Sequence, residues 1–134
     1  MDLDALETSF DLVAPHGHEL VDDFYARLFA TAPDVEPFFA GADKREQKLK
    51  LLGTLVLLRK SLRDLGAVVP KLRDLGGRHV AWGARPEHYA VVKDVLIASM
   101  ASVAGGAWAP EHTRAWSDAL DVVAGVMLEG AAAV

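Results

Sequence analysis

The spacing of apolar residues along the chain is the feature that most limits its possible folds. Apolar residues recur at steps of three and four, and the strict alternation of a half-buried strand never persists. In residues 20–29 the apolar side chains form one broad stripe if the segment is wound as a helix. We therefore predict an all-α protein.

Prolines and glycines divide this pattern into about seven helices with short connections. A helix tends to end at the residue before a proline, and glycine commonly follows its last turn. The predicted helices cover residues 2–14, 16–30, 34–39 (a short turn only), 44–64, 68–82 and 87–104, and a last one that opens at Pro110 and frays from Gly130. The glycine pairs 76–77 and 105–106 lack the surrounding pattern of a phosphate-binding loop.

Length, charge and cysteine content exclude several classes of protein. With 134 residues, one domain spanning 1–134 can bury a core without metal or disulfide staples. The chain has no cysteine, which rules out disulfides and thiolate sites. Its net charge is −5, without the basic face that nucleic-acid binding requires. Because no long uninterrupted apolar run and no signal peptide are evident, we expect a cytoplasmic protein without a membrane partner.

His79 is the one histidine that the helical pattern places on an inward face. It continues the stripe of Val68, Leu72 and Leu75 at steps of four, three and four. The other four are expected at solvated helix starts and show no zinc-site spacing: His16, His18, His88 and His112. A lone inward histidine is most often a core residue bonded to a backbone carbonyl, and less often a metal ligand.

Three further polar or aromatic features lie on inward stripes. Tyr25 interrupts the second helix, and Gln47 begins the stripe of the long helix with Leu51 four residues later. The pair Phe38-Phe39 ends the short turn. Each has an ordinary explanation, respectively a backbone hydrogen bond, a solvated helix start and simple core packing. Each also suits a cavity that holds a flat apolar ligand.

Together these stretches resemble the globin family, in particular the single-domain bacterial haemoglobins and the haem domain of flavohaemoglobins. The similarity covers nearly the whole chain. Its motifs are FYARLFATAPDVEPFF (residues 24–39), EQKLKLLGTLVLL (46–58), RHVAWGARPEHY (78–89) and TRAWSDAL (113–120). The resemblance implies a globin fold with one haem b held between helices.

The resemblance also implies a role for each inward residue. His79 would be the proximal ligand of the iron, with Tyr89 beside it, and Tyr25 and Gln47 would donate hydrogen bonds to a bound gas on the opposite, distal side. The remaining pocket residues would be Phe39 on the haem face, Leu51 and Leu75 as apolar walls, and Lys50 or Arg78 at the propionates, where a solvated charge is an equally good interpretation.

One departure from the family pattern bears on chemistry. Members with strong proximal electron donation carry a glutamate in the last helix, and the aligned position here is Ala131. Glu129 stands two residues earlier, about 200° around the helix, so we expect it to face elsewhere. A weaker push on the iron disfavours peroxidase-like chemistry.

Three functions follow as alternatives. The first is reversible binding of dioxygen or another diatomic gas for carriage, storage or sensing, without enzymatic activity. The second is nitric oxide dioxygenase activity with a separate reductase. The third is a haem-free globin fold that serves as a regulatory module. A monomer and a homodimer are both compatible with the resemblance.

Overall fold

The computed structural model describes residues 1–133 and confirms the all-α prediction. Within that range there are six α-helices and no strand. The α-helices are α1 (Leu3–Val13), α2 (Gly17–Thr31), α3 (Lys44–Lys60), α4 (Val69–Ala81), α5 (Pro86–Ala104) and α6 (Pro110–Ala132). Short 3-10 helices connect them at Ala14–His16, Pro33–Phe39, Leu65–Val68 and Gly105–Ala107.

Two predicted helix ends were wrong. The long helix α3 ends at Lys60 rather than residue 64, and a turn follows it before the next 3-10 helix. The last helix does not fray from Gly130 but continues to Ala132. The reason is tertiary, because Gly130 packs against the backbone of Arg73 in α4 and this contact orders the end of α6.

Histidines cap two helices that begin with the same tripeptide, Pro-Glu-His. The ring Nδ1 of His88 accepts the backbone N–H of Arg85 at 3.0 Å, and the Nδ1 of His112 accepts that of Ala109 at 3.0 Å. Each ring satisfies a backbone donor at the helix start. His112 was expected to be solvated, but it is only 8% exposed, because its ring packs against Trp108.

The apolar side chains form two separate clusters. The larger one joins α1, α2, α3, α5 and the first half of α6 around Trp116, whose indole N–H donates to the buried hydroxyl of Ser9 at 2.8 Å. The smaller one joins the end of α3 to α4 and the second half of α6 through Leu58, Val68, Leu72 and Met127. The helix that carries His79 therefore belongs to a different cluster from Tyr25.

Helix α5 lies within the larger cluster. Its length and composition would also suit a membrane span, although a core helix has the same properties. Its side chains Val95, Leu96 and Met100 are buried, and it packs against α2 and α6. These contacts place one face of α5 in the larger cluster, although only 28% of its apolar window is buried.

Candidate functional site

The two helices that carry most of the predicted site residues pack against different neighbours. Helix α3 packs on α2 and α1, and α4 packs on α6, while direct contacts between α3 and α4 are few. Half-buried apolar side chains belong to each side: Phe39 and Leu51 to the larger cluster, and Leu75 and Tyr89 to the smaller one. Each of these two helices therefore has apolar surface that the other helix does not cover.

His79 lies in the last turn of α4 with one ring nitrogen already engaged. Its Nδ1 is 2.8 Å from the backbone oxygen of Leu75. A carbonyl can only accept, so Nδ1 carries the proton and Nε2 keeps its lone pair. Burial lowers the pKa of His79, which favours the neutral ring. A neutral imidazole with a free Nε2 and an anchored Nδ1–H is the form that binds a metal ion.

Two aromatic rings flank His79. The ring centroid of Trp82 is 5.1 Å from that of the imidazole, and that of Tyr89 is 6.4 Å from it. Burial raises the pKa of Tyr89, so its hydroxyl remains protonated at neutral pH. Sequence reasoning missed Trp82, which directly follows α4, although its position three residues after His79 places it on the same side of the helix end.

Tyr25 lies within a group of four aromatic rings. Its ring centroid is 5.0 Å from Phe24, 6.0 Å from Phe29 and 5.7 Å from Phe39. Burial raises the pKa of Tyr25 to about 12. The phenol therefore stays protonated at neutral pH and can act as a hydrogen-bond donor.

The first half of α3 places Gln47 and Leu51 as half-buried residues one turn apart. The start of this helix is tied to α2 by an ion pair of 2.9 Å between Lys48 and Asp22. Lys50 is exposed and pairs with Glu46 at 3.4 Å. A contact between Lys50 and a haem propionate would compete with the Lys50–Glu46 ion pair. This contact stays a prediction.

The carboxylate of Glu129 is directed away from His79. It pairs with Arg73 at 3.2 Å, and both side chains are exposed. Arg73 precedes His79 by six residues, on an outer face of α4. The hydrogen-bond partner of the His79 ring is therefore the neutral carbonyl of Leu75, and not this carboxylate.

The available donors suit haem better than a bare metal ion. Residues 1–133 hold no group of three or more histidine or acidic side chains that could enclose a metal. A zinc site needs three or four protein ligands, whereas a haem iron takes four nitrogens from the porphyrin and needs one from the protein. A single anchored imidazole beside uncovered apolar surface fits that requirement.

Comparison with known proteins agrees with the fold. The globin family model matches residues 22–127. A flavohemoprotein of Bacillus subtilis is 26% identical over 91% of this chain, which matches 31% of that protein. The chain thus spans about a third of the length of the flavohemoproteins it matches.

Solved structures give the same result. An engineered carbene transferase, built on a candidate nitric oxide dioxygenase of Rhodothermus marinus, has a TM-score of 0.87 at 21% identity, covering 97% of this chain and 90% of that one. A Pseudomonas aeruginosa protein described as structurally highly homologous to a human haemoglobin has a TM-score of 0.82 at 27% identity, covering 96% of each chain. By sequence and by fold, this chain belongs to the globin family.

Proposed function

We propose that this globin holds one haem b through His79 and reversibly binds dioxygen or another diatomic gas. The observation that carries the proposal is the hydrogen bond from His79 Nδ1 to the Leu75 oxygen. It selects the tautomer whose Nε2 lone pair is free, and it fixes the ring direction before any metal is bound. The haem, when bound, supplies the ferrous iron on which a gas is held.

Tyr25 and Gln47 are proposed as the donors on the gas side. A hydroxyl or amide donor stabilises the partial negative charge that dioxygen acquires on iron, and helps carbon monoxide less. Tyr25 has a pKa of about 12 and therefore keeps its proton throughout the physiological range. The apolar side chains of Phe39 and Leu51 exclude water, which slows oxidation of the iron.

Nitric oxide dioxygenase activity with a separate reductase is the second candidate. Its support is that several curated relatives are flavohemoproteins, although this chain spans about a third of their length. The proximal side argues for gas binding instead. His79 donates to a neutral carbonyl, so its ring is less electron-rich than one that donates to a carboxylate.

Absorption spectra of the protein expressed with haem test the proposal. The wild type is expected to hold stoichiometric haem and to form a carbon monoxide complex after reduction. His79→Ala should lose or loosen the haem, and His18→Ala, which changes an exposed histidine, should keep it. A folded wild type that takes up no haem would contradict the proposal and favour the haem-free regulatory module.

Turnover separates the first two candidates. Nitric oxide is added to the oxygenated protein with an unrelated flavin reductase and reduced nicotinamide. We expect nitric oxide consumption to stop near one equivalent per haem, because oxidised iron is not re-reduced rapidly, and not to scale with the amount of reductase. Rapid, reductase-dependent formation of nitrate would establish the enzymatic function instead.

A further inference from the structure

The least buried of the large apolar side chains in the described part of the chain belongs to Trp82, which is 57% exposed. Single exposed apolar side chains are common on protein surfaces, so what distinguishes Trp82 is the ring that it contacts. Its ring lies against that of His79 in a tilted arrangement, with centroids 5.1 Å apart and planes at 50°. The exposed tryptophan thus contacts the residue proposed to bind iron.

The end of α4 holds Trp82 in this place. Side chains on a helix lean toward its N-terminus, so a residue at i+3 covers the side chain at i. The backbone N–H of Trp82 still bonds to the helix, at 3.1 Å from the oxygens of both Arg78 and His79. Gly83 follows with φ of +97°, a conformation that L side chains rarely adopt, and turns the chain away.

The turn itself is supported from the other side. A Cβ built on Gly83 would lie 3.4 Å from the ring of Phe38, and that ring also packs on His88 at a centroid distance of 5.5 Å. The 3-10 helix at Pro33–Phe39 and the start of α5 therefore both support the segment that carries Trp82. The indole is placed by backbone geometry and not by burial of its own surface.

We propose that Trp82 is a positioning residue for His79. The proposal rests on the function proposed above. One hydrogen bond to Leu75 fixes the direction of Nδ1 but leaves the ring free to rock about that bond. The indole blocks rocking to one side and Tyr89 limits it on another. The indole also keeps water away from the Nδ1–H. A water molecule there would compete with the Leu75 carbonyl as the hydrogen-bond acceptor.

This role compensates for a missing group. A carboxylate partner would orient the imidazole by charge, but Glu129 pairs with Arg73. An aromatic neighbour orients the ring by contact alone and adds no negative charge. The proximal ring is thus held in place without being made more electron-rich, which suits reversible gas binding.

The test compares Trp82→Ala with Trp82→Phe and with a matched control, Val80→Ala. Val80 is also exposed and lies on α4, one residue from His79 but about 100° around the helix. The first readout is the iron–histidine stretching line in the resonance Raman spectrum of the reduced, gas-free protein. The second is the rate of His79 Nδ1–H exchange, measured by NMR on the carbon monoxide form or, without haem, on the protein as purified.

Trp82→Ala is expected to shift or broaden the Raman line, to speed Nδ1–H exchange and to raise the rate of haem loss about tenfold. Trp82→Phe should restore most of each change. Raman line and proton exchange both equal to those of Val80→Ala would overturn the proposal. A wild type without haem would contradict the proposed function instead, and the proton exchange would still decide the role of Trp82.

Discussion

The two sides of α4 are packed in opposite ways. Behind it, α6 approaches so closely that a Cβ on Gly76 would overlap the Met127 carbonyl, and a Cβ on Gly130 would overlap the Arg73 carbonyl. In front of it, α3 makes few direct contacts, and the side chains of Leu75 and His79 stay half-buried. Backbone packs on backbone on one side, and apolar surface remains uncovered on the other.

This difference shows how the fold prepares a site for a large flat ligand. A helix that carries a ligand residue must be held firmly from behind if its front is to remain open. Glycines achieve this, because the absence of a side chain lets two helix backbones touch. Helix α3 is held differently, by Arg59 in its last turn and Arg63 in the turn that follows it. Their guanidinium groups bind acidic side chains on α1, namely Asp4, Glu7 and Asp11.

The largest effect is expected at the α4–α6 contact. Gly130→Ala should lower the free energy of unfolding by about 2–3 kcal/mol, because the methyl group would overlap the Arg73 backbone and force the helices apart. Gly125→Ala in the same helix is the control. Its Cβ would meet nothing within 4 Å, so it should raise the stability by about 0.5–1 kcal/mol. Urea unfolding measures both, and equal effects would refute the close packing.

Substitutions on the open side of the site, between α4 and α3, should change gas binding more than the free energy of unfolding. Tyr25→Phe removes one donor, and we expect dioxygen to dissociate about fivefold faster, since such a bond contributes about 1 kcal/mol. Tyr89→Phe, which alters a ring beside His79, should leave this rate nearly unchanged. Stopped-flow measurement with a dioxygen scavenger gives both rates. If the Tyr25 variant behaved as the wild type does, Gln47→Leu would be the next test of the distal donor.

The attachment of α3 to α1 should contribute less than the glycine contact. Arg59 binds Asp11 through two nitrogens, each 3.2 Å from a carboxylate oxygen, and also reaches Glu7 at 3.1 Å. Arg59→Ala is expected to lower the unfolding free energy, but by less than Gly130→Ala does, because solvent screens these ion pairs. Arg45→Ala, at an exposed position near the start of α3, should change it by less. A loss as large as that of Gly130→Ala would mean that both sides of the site are held equally firmly.

The smallest expected effect is a pH dependence of the stability contributed by the same group of ion pairs between α1 and the end of α3. The hydrogen bond from Arg63 is the largest of the causes that hold the pKa of Glu7 below 4.5. A carboxylate with a lowered folded pKa stabilises the protein above its unfolded pKa, and this stabilisation is lost as pH falls through the folded value. The stability difference between wild type and Glu7→Gln should therefore be present at neutral pH and shrink below pH 4.5. A difference that is constant from pH 7 to 3 would exclude this origin.

Much of the helical framework could be predicted from the sequence. The steps of three and four identified all six α-helices, and most of their bounds lie within two residues of the observed ones, because periodicity and prolines act locally. The stripe that contains Leu72 and Leu75 also placed His79 on an inward face correctly. The roles of His79, Tyr25 and Gln47 toward haem and gas stay predictions.

Other features depended on residues far apart in the chain. From the sequence, the glycine pair at 76–77 could only be excluded as a phosphate-binding loop, and the close approach of the Met127 backbone explains the glycine at position 76. His112 looked solvated until Trp108 covered it. A local pattern states which face of a helix is apolar, but it does not state which helix that face meets or how closely.

The sequence by itself determined the helices, most of their boundaries and the inward position of His79, since each depends on residues within a turn or two. The tertiary structure decided how α4 packs against α6, which ring nitrogen of His79 is free, and that Trp82 lies against that ring. Those outcomes depend on backbone packing distances and on the trajectory of a turn, which are set when segments distant in sequence come together.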